Sequence, residues 1–172
     1  PGDKVIVNSP VYHSFYMWLD ELKLTTVDAP LIHEGDDWRL DLAAIEAQFK
    51  AGARFILLSS PHNPVGRIHT LEELTSIAEL SNKYNAYVIS DEIHAPLTYE
   101  ESKFIPFLSI SQIAREVGIT ITAASKGWNI AGLKCAIIIS QSEKMHEKLN
   151  QLPPALHYRA SLLGAFATVA AF

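Results

Sequence analysis

Three short apolar runs, each closed by a polar residue, set the strongest limit on how this chain can fold. Residues 53–60 run into Pro61-His62-Asn63-Pro64-Val65-Gly66-Arg67. Residues 86–90 run into Asp91-Glu92-Ile93-His94, and residues 119–124 into Ser125-Lys126. Such β-rich runs alternate with segments of helical spacing along the whole chain. Alternation of this kind predicts an α/β fold: three αβα layers, with helices on both faces of a mostly parallel sheet. In a parallel sheet the strand carboxyl ends share one edge, and ligands bind in the crevice there. Asn63, Asp91 and Lys126 are therefore expected to converge, although 28 and 35 residues separate them along the chain.

The 172 residues are enough for one domain with a real core. The net charge of −5 with no basic cluster argues against a nucleic-acid surface. Cys135 is the single cysteine, so no internal disulfide framework exists and a reducing compartment, the cytoplasm, is expected. It sits in residues 135–140, which read as a buried strand holding an inert thiol. The chain opens on Pro1-Gly2-Asp3, a turn, and closes inside an apolar stretch. Both ends suggest a piece of a longer protein. Residues 155–172 carry His157 and Arg159 and are short for a membrane span, so a buried helix is expected there.

Further elements follow from spacing. Residues 4–8 and 24–31 read as strands. Residues 12–22 read as a helix with Phe15, Trp18, Leu19 and Leu22 on one side. Asp41 is placed to cap a helix buried through Leu42, Ile45 and Phe49. Thr70-Leu71-Glu72-Glu73 is a capping box opening a helix whose apolar face is Leu71, Leu74, Ile77 and Ala78. Residues 142–149 read as one more helix.

Several residues at the strand ends are of types that carry chemistry. Lys126 follows six uncharged residues, and a desolvated amine is a better nucleophile toward a carbonyl; the plain alternative is a surface lysine. Asp91 can hold the charge of a protonated pyridine nitrogen, cap a helix, or join Glu92 and His94 as metal ligands, although no second group supports a metal site. Asn63 either donates to a ring oxygen or simply shapes a turn. Tyr12 either stacks on a planar ligand or packs in the core. Ser125 and Lys134 suit a phosphate; Ser125-Lys126 also fits a Ser-Lys hydrolase, but no oxyanion loop accompanies it. An aldehyde-binding amine together with an acid for a ring nitrogen is what pyridoxal phosphate requires.

Taken together, Pro61-His62-Asn63-Pro64-Val65-Gly66-Arg67, Ser90-Asp91-Glu92-Ile93-His94 and residues 124–134 (Ala-Ser-Lys-Gly-Trp-Asn-Ile-Ala-Gly-Leu-Lys) resemble the motifs of fold-type I pyridoxal-phosphate enzymes, the class I/II aminotransferase superfamily. The likeness covers essentially residues 1–172, which would be most of the cofactor-binding large domain. His62 before Asn-Pro, Arg67 after the glycine, and His94 where tyrosine is more usual resemble the MalY/PatB-type cystathionine β-lyase branch.

The resemblance implies a set of roles. Lys126 would hold the cofactor's aldehyde carbon and move the substrate's α-proton. Asp91 would pair with the pyridine nitrogen, and Asn63 would bond the ring oxygen, with His94 nearby. Tyr12 would stack on the ring, and Ser125 and Lys134 would contact the phosphate. Lys134 stands where many aminotransferases have arginine, and a lysine cannot make arginine's bidentate fork. A phosphate-binding segment is expected before Pro1, and a small domain with a carboxylate-binding arginine after Phe172. The implied activity is C–S β-elimination on cystathionine- or cysteine-type amino acids, giving pyruvate, ammonia and a thiol. An aminotransferase, and a non-catalytic aminotransferase-like domain of a transcriptional regulator, are the alternatives. A homodimer with no metal, membrane or nucleic-acid partner is expected.

Overall fold

A computed structural model describes residues 1–172, except for the side chain of His157. Four strands form the parallel part of the sheet's centre: β1 (Lys4–Val7), β5 (Ala53–Ser59), β6 (Tyr87–Asp91) and β7 (Gly118–Thr122). β2 (Thr25–Asp28) extends the parallel side beyond β1, and β8 (Ile137–Ile139) adds an antiparallel edge beyond β7. The order is β2-β1-β5-β6-β7-β8. A small hairpin, β3 (Ile32–Glu34) with β4 (Asp37–Arg39), stands apart and was not anticipated. Its strands are too short to show a period, and only Gly35 (φ 61°) marks its turn.

Strand alternation sends side chains to two different layers. Ile6, Ile56, Leu58 and Val88 are fully buried beneath α2 (Leu42–Lys50), α3 (Leu71–Lys83) and α4 (Gln112–Val117), with Ile45, Leu74, Ile77 and Ala114 facing them. Each such side chain contributes about 1.5–3 kcal/mol by leaving water. Val5, Val7 and Leu57 point the other way, onto Phe15 and Leu19 of α1 (Ser14–Glu21). Thr70 and Glu73 form the expected capping box, and Asp41 caps α2 by accepting from the Ala44 N–H at 2.9 Å. α5 (Glu143–Leu149) follows β8, capped by Ser142.

Four expectations about burial fail. Trp18 and Leu22 stay exposed on α1, whose buried stripe is only Phe15 and Leu19, because one helix covers this sheet face locally. Leu71 is likewise exposed in the first turn of α3. Cys135 lies outside β8 and is only half-buried, because β8 is a three-residue edge strand. The last segment is not one buried helix: a 3-10 turn (Pro154–Tyr158) precedes α6 (Leu162–Ala171). Leu162, Leu163, Phe166, Val169 and Phe172 are exposed, while Gly164 and Thr168 are the residues it buries. Apolar all round, α6 has more greasy surface than its one contact can cover. Among the described residues no helix is long and apolar enough to cross a membrane.

Candidate functional site

Three parallel strands end side by side at the carboxyl edge. Ser59 on β5 is paired with Asp91 on β6, and Asp91 with Ile121 on β7. Asn63 comes four residues after Ser59 and Lys126 five after Ile121, so residues distant in sequence meet across neighbouring strands. Tyr12, Asn63, Asp91, His94 and Lys126 line one cavity of about 240 Å³, together with Ser59, Ile93 and Trp18. Trp18 and Ser59 are residues that sequence reasoning missed. Their signal was positional: Tyr12 and Trp18 bracket the start of α1, and their rings meet edge-on with centroids 6.1 Å apart.

The adjacent acids Asp91 and Glu92 go to opposite sides of the sheet, as alternation requires. Asp91 is at the end of β6 on the α1 side. Its Oδ1 accepts the Ile93 N–H at 3.2 Å, and burial raises its pKa above the ordinary 3.8, with His94 and Lys126 pulling it back. Glu92 enters the core. Its Oε1 accepts from Ser90 Oγ (2.9 Å), Phe107 N (2.9 Å) and Thr120 Oγ1 (3.3 Å), and burial raises its pKa as well. Glu92 therefore fastens β6 to β7 and to the turn at Phe107 and cannot share a ligand with Asp91. Among the described residues no group of three or more His, Cys, Asp or Glu side chains is arranged to hold a metal ion.

Asn63 is presented by a loop that closes on itself. His62 N donates to Arg67 O (2.7 Å), Gly66 N to His62 O (2.7 Å), and Asn63 N to Ser59 Oγ (3.0 Å). Lys126 sits in the turn after β7, closed by Trp128 N to Ala124 O and Ile130 N to Ser125 O, both 3.1 Å. This turn presses on the one that follows His94: a Cβ on Gly127 would stand 2.8 Å from Pro96 Cβ. The Lys126 side chain is exposed at the cavity lip, not desolvated in a strand mouth as expected. Burial lowers the His94 pKa, and Asp91 partly restores it.

Ser125 and Lys134 do not line the cavity of Lys126. They line an adjoining one of about 370 Å³ with Cys135 and Arg159, and Ile93 belongs to both. Lys134 has φ 51° and ψ 60°, a left-handed backbone that a non-glycine residue adopts only when its surroundings impose it. The arrangement suits pyridoxal phosphate. A half-buried acid, Asp91, faces the Lys126 amine across a space walled by aromatic rings. An amide lies at its side, and a hydroxyl and cations lie next door.

Comparison with known proteins agrees with this geometry. The family model "Aminotransferase class I and II" matches residues 1–172. Cystathionine beta-lyase of Corynebacterium glutamicum is 38% identical over 167 residues, covering 97% of this chain and 44% of its own. The PLP-bound C-S lyase from Staphylococcus hominis superposes with a TM-score of 0.86 at 30% identity, over 98% of this chain and 42% of that one. N-Succinyldiaminopimelate aminotransferase from Mycobacterium tuberculosis does so with a TM-score of 0.85 at 27% identity, over 99% and 44%. The chain thus spans less than half the length of the curated relatives it matches. With a whole-chain family match and a shared sheet that brings these strand ends together, the chain belongs to the class I and II aminotransferase family.

Proposed function

We propose that these residues form the cofactor-binding large domain of a pyridoxal-phosphate-dependent C–S β-lyase. The observation that carries the reading is the meeting of Tyr12, Asn63, Asp91, His94 and Lys126 at one cavity. Identity to cystathionine β-lyases supports the branch, as do His62, Arg67 and His94 within the motifs.

In this reading each residue has a physical task. Asp91, ionised in the loaded site, accepts a hydrogen bond from the ring nitrogen and balances its positive charge. Asn63 donates from its amide to the ring oxygen, with His94 beside it. Tyr12 covers the ring face, and Trp18 closes the same wall. Ser125 and Lys134 hold the phosphate from the adjoining cavity, Lys134 as a point charge. The bound cofactor supplies an electron sink for the bond broken at the substrate's α-carbon. Lys126 Nζ would hold the cofactor at its aldehyde carbon and, as a free amine when substrate is bound, would act as the general base for the α-proton. Loss of the β-thiolate, which leaves as the thiol, followed by hydrolysis of the remaining imine by one water, would give pyruvate and ammonia.

The substrates we infer are cystathionine- or cysteine-type amino acids, handled by a homodimer in the cytoplasm, with no membrane or nucleic-acid partner. The acidic net charge and the lone cysteine support this, as does the apolar surface of α6. The test is an assay of the full-length protein with L-cystathionine. Pyruvate and free thiol, formed without any added 2-oxo acid, are expected. Amino-group transfer that needs a 2-oxo acid, with no thiol released, would make it an aminotransferase instead. Size-exclusion chromatography with light scattering should give twice the protomer mass.

A further inference from the structure

We propose that His62, which does not line the cofactor cavity, is the positioning residue that sets Tyr12 and Asn63 at their working separation; the inference rests on the pyridoxal-phosphate reading above.

His62 is 1% exposed, and its Nε2 lies 3.0 Å from the carbonyl oxygen of Pro10. A carbonyl only accepts, so Nε2 carries the proton and donates. Pro10 is two residues before Tyr12, and His62 is the residue before Asn63. Among the described residues this is the one hydrogen bond that joins the loop bearing Tyr12 to the loop bearing Asn63. The other bonds of the Asn63 loop run within itself, back to its own strand and the β6 end through Ser59 and Asp91, and through Arg67 to His69, Glu73 and Asp37, none of which belongs to the loop bearing Tyr12.

The imidazole is also held from behind. His69 meets it edge-on, with centroids 5.7 Å apart, and His69 Nε2 lies 3.0 Å from Ser59 O. Arg67 Nη1 is 3.2 Å from His69 Nδ1 and 2.7 Å from Glu73 Oε2. Glu73 in turn accepts from Leu40 N and Thr70 N. The guanidinium only donates, so His69 Nδ1 accepts and that ring is neutral, with its proton on Nε2; His62, protonated at Nε2 and unpartnered at Nδ1, is neutral as well. Burial and the Arg67 charge keep His62 in that state. His62 Nδ1 has no partner. A residue kept only for packing would avoid that unpaired nitrogen, as leucine does. The donor at Nε2 is what leucine lacks.

The experiment uses full-length enzyme stripped of cofactor and titrated with pyridoxal phosphate, following quenching of tryptophan fluorescence. Trp18 lines the cavity and reports directly. His62→Leu removes the donor, while His62→Gln places an amide N–H near the Nε2 position. Loss of one buried hydrogen bond predicts a roughly three- to tenfold higher Kd for His62→Leu, and His62→Gln within about twofold of wild type. The same change made in a Tyr12→Ala background should add less than about twofold, because the wall it positions is gone. His62→Phe, which fills the space without a donor, replaces His62→Leu if the latter does not fold. An unchanged Kd in the Leu or Phe variant would overturn the role. So would an equal penalty in both backgrounds, which is the mark of a merely structural residue. A wild-type protein that takes up no cofactor would instead overturn the functional reading itself.

Discussion

Replacing Asp91 with Asn tests the electrostatic side of the account, because it changes charge with little change in shape. Asn keeps an oxygen to accept the Ile93 N–H, so the turn after β6 should persist. It loses the negative charge that pairs with a protonated ring nitrogen. A hydrogen bond to a charged group contributes about 1.5–3 kcal/mol, so the cofactor Kd should rise roughly 10- to 150-fold. The direction of pH dependence follows from the same group. Burial raises the Asp91 pKa above 3.8, so below that raised value the cofactor-free protein holds a proton there that pairing with a cationic ring must release. Wild-type affinity should therefore increase as pH rises from the ordinary carboxylate value to the raised one, then level off. The Asn variant should lose that slope. Fluorescence titration of full-length protein at several pH values measures both. Glu92→Gln is the control, since its Oε1 faces the core and no cofactor. A twofold or smaller effect for Asp91→Asn, or an equal effect for Glu92→Gln, would refute the assignment of charge pairing to Asp91.

Two further outcomes are expected. The His69 pKa is lowered from 6.5 to about 4, first by burial and then by His62. A depressed histidine contributes stability that is complete above pH 6.5 and is lost as pH falls toward 4, here about 3 kcal/mol. Chemical denaturation of His69→Gln should show a stability difference from wild type that shifts by that amount across the window; a constant difference would contradict it. Gly127→Ala should push the Lys126 turn off Pro96, costing about 1–3 kcal/mol of stability. It should also lower cofactor uptake, read as visible absorbance per protomer; wild-type loading and stability would contradict the close approach.

What was legible in the chain was whatever local chemistry decides. The strand ends at Ser59, Asp91 and Thr122 announced themselves by apolar runs, and a parallel sheet then brought Asn63, Asp91 and Lys126 together. Thr70 and Asp41 were readable as caps because capping needs only neighbours three residues away. What failed depended on where an element sits in space. α1 and α6 have apolar faces wider than the surfaces they meet, so Trp18 and Phe166 remain exposed. Cys135 looked buried because isoleucines follow it, yet they belong to a short edge strand. Ser125 neighbours Lys126 in sequence and still turns into the adjoining cavity with Lys134, since the turn after β7 sends successive side chains apart. The His62, Arg67, His69 and Glu73 network was invisible for a further reason. Its bonds reach Pro10 and Leu40, and no spacing rule ties those residues to residues 62–73.

The central claim is that Lys126 is the amine that takes the cofactor's aldehyde carbon. Borohydride reduction of the loaded full-length enzyme, followed by peptide mass mapping, tests it most directly. The pyridoxyl mass is expected on the peptide containing Lys126 and should be absent from a Lys126→Ala protein treated alike. The same mass on Lys134 or any other lysine, or its persistence in the Lys126→Ala protein, would contradict the account.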